Sequence, residues 1–202
     1  MKHRTLSTLR LLLVLTVLML IGLAAIFVLR PQTINSDNIT TLGGDFTLES
    51  HAGPVSLSDY KGKVVALYIG YASCPDVCPT ALAVMTQAFK GLNEQEKENV
   101  AGLFISVDPD RDTPEKLEAY VKFFSPMLTG ITGKKSDIDQ VVKQYGSFYR
   151  IVEMNDSAMG YAVDHSSRIY LINTKGKLYK PLSHNSSPAD VLLEIRTLLA
   201  QK

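Results

Sequence analysis

Residues 11–29 form the longest apolar segment of the chain: they contain no charged side chain, and only Thr16 and Gly22 interrupt the apolar pattern. A helix of this length, with a rise of 1.5 Å per residue, spans roughly 28 Å, which is close to the thickness of the hydrocarbon core of a bilayer. A cleaved signal peptide has a shorter apolar core of about 7–15 residues. The pattern therefore predicts a transmembrane anchor at residues 11–29, and cleavage near the small residues Gly22 and Ala24 is the alternative.

Basic residues precede this segment. Lys2, Arg4 and Arg10 lie in residues 1–10, and positively charged flanks of an anchor stay in the cytoplasm. We therefore expect a cytoplasmic start at residues 1–10 and export of everything after the anchor. Since this basic start is shorter than a mitochondrial transit peptide, the sequence favours a bacterial inner membrane with the domain in the periplasm.

Beyond the anchor, residues 30–44 are polar and contain proline and glycine, which predicts a linker. From residue 45 to 202, short apolar runs alternate with segments of helical periodicity. The predicted strands cover residues 46–48, 55–57, 64–69, 103–107, 168–172 and 178–180. The predicted helices cover residues 80–92, 115–124, 136–145 and 189–199. This order is typical of an α/β domain with a mixed sheet, in which ligands bind beyond the carboxyl ends of the central strands.

Composition and charge narrow the possible functions. The 202 residues are 46% hydrophobic and 20% charged, as expected for a globular protein. Four of the 21 basic residues lie in residues 1–30, which contain no acid, so the rest of the chain carries 17 basic and 20 acidic residues. A domain with this balance lacks the basic surface of a nucleic-acid-binding protein, and we expect no nucleic-acid partner.

The chain has two cysteines, Cys74 and Cys78, which follow the predicted strand 64–69. A disulfide across so short a loop would add little stability, so the pair is better explained by chemistry. Pro79 suits the first position of a helix, which places Cys78 at the N-cap, where the helix dipole should lower its pKa. Pro75 and Pro79 keep Cys74 in a loop, so the pair can either bind a metal or form a disulfide.

The C-x-x-x-C spacing leaves more room for an ion than the C-x-x-C of thioredoxin-like redox motifs. Two thiolates favour a soft metal such as Cu(I), with zinc as the competitor, and a third ligand is needed to hold a divalent ion. Among the histidines, His51 and His184 lie in polar turns, whereas His165 directly follows Asp164, which is a candidate outer partner for an imidazole ligand. A lone histidine is nevertheless more often structural than a ligand.

Two other features have a structural explanation. In Asp108–Pro114, Thr113 and Pro114 fit the N-cap and first position of a helix, so we expect loop and capping roles there. Tyr71 adjoins a core strand and is expected to pack rather than bind. Met85, Met127, Met154 and Met159 do not form a Met-rich copper tract, and the spacing of Met85 is that of a core residue.

Several short motifs occur together in this sequence. They are Gly70-Tyr71 followed by Cys74-Pro75-Asp76-Val77-Cys78-Pro79-Thr80, Val107-Asp108-Pro109 with Arg111-Asp112-Thr113-Pro114, Val163-Asp164-His165-Ser166, and Tyr170-Leu171. With these motifs, residues 42–200 resemble the SCO/SenC family of copper proteins that assist cytochrome oxidase assembly. The resemblance implies a thioredoxin-like α/β fold with a mixed central sheet, preceded by an N-terminal transmembrane helix. It also implies that Cys74, Cys78 and His165 bind copper, as Cu(I), Cu(II) or both. Ala72 and Ser73 replace residues that many members have before the first cysteine.

The function implied by the resemblance is a metallochaperone that delivers copper to, or prepares, the dinuclear copper centre of a terminal oxidase. The expected partners are the copper-bearing subunit of the oxidase, other periplasmic copper or thiol carriers, and the inner membrane through residues 11–29. Two alternatives remain: a thiol:disulfide oxidoreductase acting on the oxidase cysteines through Cys74 and Cys78, and a copper or redox sensor. His165 distinguishes delivery from reduction, because dithiol exchange does not require an imidazole.

Overall fold

The computed structural model describes residues 15–20, 22, 42–154 and 159–201, and the chain divides into two units after Thr41. In the first unit, residues 15–20 and 22 are helical. The remainder of the predicted anchor lies outside the described residues, as do the predicted cytoplasmic start and most of the predicted linker, so these assignments stay predictions. No helix within the described residues is long and apolar enough to cross a membrane.

The second unit consists of strands and helices in alternation. Its strands are β1 (Thr47–Ser50), β2 (Gly53–Ser56), β3 (Val64–Gly70), β4 (Val100–Ser106), β5 (Leu128–Ile131), β6 (Tyr149–Glu153), β7 (Tyr161–His165), β8 (Arg168–Ile172) and β9 (Leu178–Ser183). Its helices are α1 (Val77–Lys90), α2 (Glu94–Lys97), α3 (Pro114–Phe124), α4 (Lys135–Gln144) and α5 (Pro188–Leu199), with a 3-10 turn at Leu57–Tyr60.

The centre of this unit is a five-stranded sheet in the order β5-β4-β3-β8-β9. Strand β4 pairs in parallel with β3 and β5, whereas β8 is antiparallel to both β3 and β9. Every residue of β3 and β4 is buried, as the continuous apolar runs predict for central strands covered on both faces. The predicted α/β fold with a mixed central sheet is therefore confirmed.

The helices that flank the sheet follow the sequence signals closely. Helix α3 begins with the predicted cap: the Thr113 side chain accepts a hydrogen bond from the Lys116 amide at 3.3 Å, and Pro114 is the first helical residue. The predicted apolar face of α1 is buried through Leu82, Met85 and Phe89. Helices α1 and α5 pack against each other, and α3 packs against β5.

Three strands have no counterpart in the sequence prediction. Strand β5 is short and contains Thr129 and Gly130, which weaken the strand signal. Strands β6 and β7 form a separate antiparallel pair outside the main sheet, and Val163 is the one buried residue of that pair. Because so little of the hairpin is buried, its sequence lacks the apolar pattern that marks a strand. As a result, His165 is the last residue of β7 rather than part of a loop.

Candidate metal centre

Cys74, Cys78 and His165 come together beyond the carboxyl end of β3. One donor atom from each, the two Sγ atoms and an imidazole nitrogen, lie within 4.8 Å of one another. Cys78 Sγ lies 3.2 Å from His165 Nε2. Cys78 is buried, whereas Cys74 and His165 are half-buried and can be reached from solvent. The described residues contain no second group of three or more such donors.

The other described histidines lie away from this group. His51 is in the turn between β1 and β2, with Nδ1 3.9 Å from Glu115 Oε1. His184 follows β9. The structure thus brings together the three residues that the sequence singles out and leaves these two histidines apart.

The cysteine loop joins β3 to α1. Helix α1 begins at Val77 with Asp76 as its N-cap, so the prediction that Cys78 caps the helix is wrong: Cys78 is the second helical residue. Pro79 is tolerated in this first turn because the first amides of a helix have no intrahelical acceptor. Cys74 remains in the loop, as predicted.

Gly70, the last residue of β3, makes room for the buried sulfur. A Cβ atom at this position would lie 2.7 Å from Cys78 Sγ. Real Cβ atoms do not approach that closely, so a larger residue would push the sulfur or the strand aside. The end of the central strand and the cysteine are therefore packed as one unit.

The two thiols differ strongly in acidity. A hydrogen bond from Cys78 lowers the pKa of Cys74 far below that of a free thiol; burial opposes this shift, and hydrogen bonding to His165 adds to it. The hydrogen bond to Cys74 and then burial raise the pKa of Cys78 well above its usual range. The sequence predicts the opposite, a lowered pKa at Cys78. That prediction is wrong because the hydrogen bond to Cys74, and then burial, favour the protonated thiol. The metal-free pair therefore consists of a Cys74 thiolate and a Cys78 thiol.

Asp164 does not hold the imidazole as the sequence suggests. Successive side chains of a strand point to opposite faces, so Asp164 points away from the face of His165. Its carboxylate accepts hydrogen bonds from Arg150 Nη2 at 2.8 Å and from Arg150 Nε at 3.0 Å. Both side chains of this pair are exposed.

Aromatic rings position His165 instead. The rings of Tyr68 and Tyr71 meet the imidazole edge-on, with centroid distances of 6.0 Å and 5.9 Å. His165 Nδ1 lies 3.4 Å from the carbonyl oxygen of Ser166. With a proton on Nδ1 facing that carbonyl, Nε2 is left to face the sulfurs as an acceptor or ligand. Tyr71 is buried, which agrees with the prediction that it packs.

The loop between β4 and α3 supports the cysteine side of the site. Asp112 is fully buried, and its Oδ2 accepts hydrogen bonds from the Ala72 amide at 2.7 Å and from Ser106 Oγ at 2.6 Å. Lys116 Nζ lies 3.2 Å from Asp112 Oδ1. This buried carboxylate therefore fixes the backbone just before Cys74.

The same loop also supports the histidine side. The Arg111 guanidinium lies 3.6 Å from the ring centroid of Tyr161, and its Nη1 donates to the Tyr161 carbonyl at 2.9 Å. Tyr161 Oη donates to Asp108 Oδ1 at 2.7 Å, and Asp108 also pairs with Arg111. The predicted capping role is confirmed, but sequence reasoning missed that this loop connects the cysteine loop to the hairpin of His165. The signal was present: three acids and an arginine occur close together in the sequence. Two of the acids, Asp108 and Asp112, prove to be buried.

Comparisons with known proteins agree with this geometry. A family model described as SCO1/SenC matches residues 35–200. An SCO2-like protein of Rickettsia conorii is 36% identical over 195 residues, which cover 91% of this chain and 94% of the relative.

Solved structures are similar as well. The structure of ScoI from Bradyrhizobium japonicum with copper bound is 32% identical, with a TM-score of 0.70, and the match covers 78% of this chain and 99% of that chain. BsSco, in which a disulfide switch has been identified, is a member of the Sco family of cytochrome c oxidase assembly proteins. It is 26% identical with a TM-score of 0.62, and the match covers 81% of this chain and 96% of that chain.

Proposed function

Since this chain belongs to the SCO1/SenC family, we propose that it is a copper-binding factor in the assembly of a cytochrome oxidase. It takes up copper on Cys74, Cys78 and His165 and delivers it to, or prepares, the dinuclear copper centre of the oxidase. The observation that carries the proposal is the clustering of these three donors within 4.8 Å at the end of the central sheet. The copper-bound structure of a relative supports the choice of metal.

The donor set suits copper as cargo. Two sulfurs and one imidazole are ligands that Cu(I) prefers, and an additional weak ligand would complete a Cu(II) site. Cys74 is already a thiolate in the metal-free protein, so the incoming ion has to displace one proton, from Cys78. The half-buried Cys74 and His165 leave the site accessible to a donor or acceptor.

A second function has its own observation. A half-buried thiolate on Cys74 beside the protonated, buried Cys78 is the arrangement of a dithiol reductant. In such a reductant the more accessible thiolate attacks a disulfide, and the second sulfur resolves the mixed disulfide. The disulfide switch identified in BsSco supports this alternative. The chain would then reduce the cysteines of the oxidase subunit before copper arrives.

We also propose that the chain is held in a bacterial inner membrane by residues 11–29. In this arrangement residues 1–10 are cytoplasmic, residues 30–44 are a linker, and residues 45–202 are the copper-binding domain in the periplasm. The proposal rests on the uncharged segment and its basic flank. The chain should stay in the membrane after a carbonate wash and be cleaved by protease added from the periplasmic side; release with a new N-terminus near residue 25 would show cleavage instead.

The test of the main proposal is His165→Ala, with His184→Ala as the matched control. If copper delivery is the function, His165→Ala should abolish assembly of the oxidase copper centre in cells at limiting copper, while the purified protein still oxidises and reduces its Cys74–Cys78 pair. The control should behave as the wild type in both assays. Full assembly by His165→Ala at limiting copper, together with unchanged Cu(II) affinity, would remove His165 from the site and favour the reductase.

A further inference from the structure

A cavity of about 460 Å³ leads to the metal centre. One wall comes from the cysteine loop and the other from the β6–β7 hairpin. The cavity is lined by the two accessible donors, Cys74 and His165, and by Tyr71 beside them. Two methionines of the hairpin, Met154 and Met159, line the same cavity. A ligand that approaches Cys74 and His165 through this cavity therefore passes thioether groups.

The backbone of both methionines is held in place. The Met154 amide donates to the Gly160 carbonyl at 2.9 Å, and the Tyr161 amide donates to the Met159 carbonyl at 2.8 Å. Arg111 Nη1 also donates to the Met159 carbonyl, at 3.3 Å. The loop that fixes the hairpin of His165 thus fixes Met159 as well.

These methionines differ from those of the core. Met154 and Met159 are 38% and 37% exposed, whereas Met85 is fully buried. Both residues line the cavity that also holds Cys74 and His165. A thioether is neutral, soft and carries no proton, so it binds Cu(I) at any pH but more weakly than a thiolate does.

From this arrangement we infer that Met154 and Met159 form a second, weaker Cu(I) site at the entrance to the Cys74–Cys78–His165 centre. The inference rests on the proposed copper-binding function, to which it adds the route of the ion. Copper arrives as Cu(I) on the thioethers and moves inward by ligand exchange. Each bond from copper to a methionine sulfur breaks as a bond to a cysteine sulfur forms, and the Cys78 proton leaves to solvent. No electron is transferred, and the ion moves towards the stronger ligands; delivery reverses the path when an acceptor offers ligands of its own.

Silver(I) is a suitable probe for binding, because it has the charge and softness of Cu(I) and does not change oxidation state under these conditions. In the full chain in lipid nanodiscs with methyl-¹³C methionine, the first equivalent of Ag(I) should occupy the cysteines, and the second should shift the methyl signals of Met154 and Met159. The signal of Met127, which packs against the core, is the internal control and should not move. Methyl signals of Met154 and Met159 that stay in place up to two equivalents would overturn the inference.

Kinetics test the role of the pair as an entrance. The double variant Met154→Leu/Met159→Leu keeps the apolar volume but removes both sulfurs, and Met127→Leu is the matched control. Because the pair raises the local concentration of Cu(I) beside Cys74, its loss should slow uptake from Cu(I)–glutathione by about tenfold. The equilibrium Cu(I) affinity of the centre should stay at the wild-type value. Unchanged uptake contradicts the inference, and so does an affinity that falls as much as the rate, since the methionines would then belong to the main centre.

A last variant separates this inference from the proposed function. In Cys74→Ser/Cys78→Ser the main centre is lost, and the first equivalent of Ag(I) should now shift the methyl signals of Met154 and Met159. That result stands even if the wild type fails to bind copper at its cysteines, which would refute the proposed function alone. If the methyl signals of Met154 and Met159 do not shift in this variant, the entrance site is refuted, whether or not the wild-type cysteines bind copper.

Discussion

The cysteines and His165 reach one site from two regions of different character. The cysteine loop continues β3, in which every residue is buried, and Cys78 packs against Gly70 at the end of that strand. The β6–β7 hairpin lies outside the main sheet, and Val163 is its one buried strand residue. Its attachments are largely polar: Tyr161 contacts Arg111, and Tyr149 Oη accepts from Lys135 Nζ at 2.9 Å.

This difference bears on how the site works. A sulfur that is packed with the core is as stable in position as the fold itself, whereas a ligand on a surface hairpin can move at a cost well below that of unfolding. The Cys78 sulfur therefore provides the permanent part of the proposed centre and the imidazole the adjustable part. A protein that must both hold copper and give it up benefits from such a division.

The largest effect should come from removing a ligand of the core region. Cys78→Ser should lower Cu(I) affinity by more than about 100-fold, the upper end of what loss of an outer partner costs. His165→Ala should weaken Cu(I) much less, because two thiolates still hold a soft ion, and should weaken Cu(II) more. Competition with a chromophoric Cu(I) chelator measures both. Equal losses of Cu(I) affinity in the two variants would contradict the division between the regions.

The next effect concerns packing. Gly70→Ala places a Cβ against Cys78 Sγ, and overpacking of this kind destabilises a core by roughly 1–3 kcal/mol. Denaturant unfolding of the protein should show this loss, together with weaker copper binding because the sulfur is displaced. If Gly70→Ala changed neither property, the sulfur would not be packed with the strand as described.

A smaller effect is expected from the support of the hairpin. Arg111→Gln removes the guanidinium from the Tyr161 ring and carbonyl, and should reduce Cu(II) affinity by about tenfold, as for other outer partners of a metal site. The global stability should change less than for Gly70→Ala. Arg150→Gln is the control, because Arg150 pairs with the exposed Asp164 and exposed pairs contribute little. Equal effects of the two substitutions would show that Arg111 does not position His165.

The smallest effect is a flat pH profile. The pKa of Cys74 is lowered by its hydrogen bond from Cys78, so Cys74 is already a thiolate across pH 5–8. The rate of its alkylation by iodoacetamide in the reduced protein should hardly change over that range. An ordinary thiol has a pKa of about 8.5, and below that pH its alkylation rate rises about tenfold for each pH unit. Cys78, whose pKa is raised, should stay unmodified. Peptide mass spectrometry separates the two sites. A rate at Cys74 that rises with pH like that of a free thiol would contradict the lowered pKa of Cys74.

The sequence by itself determined the elements whose signals are local. The apolar runs at Val64–Ile69 and Leu103–Val107 mark the central strands because both faces of such strands are buried. Thr113 and Pro114 mark the start of α3, because a cap depends on a few neighbouring residues. The C-x-x-x-C spacing pointed to a metal or redox role for the cysteines, and the resemblance to the SCO/SenC family added His165, because residue type alone does not separate a ligand from a structural histidine.

Only the tertiary structure decided how those residues are supported. Cys78 and His165 are 87 positions apart, the Asp112–Ala72 bond spans 40 positions and the Arg111–Tyr161 bond spans 50. Which thiol is acidic depends on burial and on a hydrogen bond between the cysteines.

The dependence on tertiary structure also explains two other differences between the sequence prediction and the structure. Asp164 turned out to face away from the imidazole because the strand it belongs to was not visible in the sequence. Met154 and Met159 are about 80 positions from Cys74 in the sequence, yet they line the same cavity because the β6–β7 hairpin packs beside the cysteine loop. Acidity, orientation and access are properties of a residue's surroundings, and those surroundings are made of parts of the chain that come together only on folding.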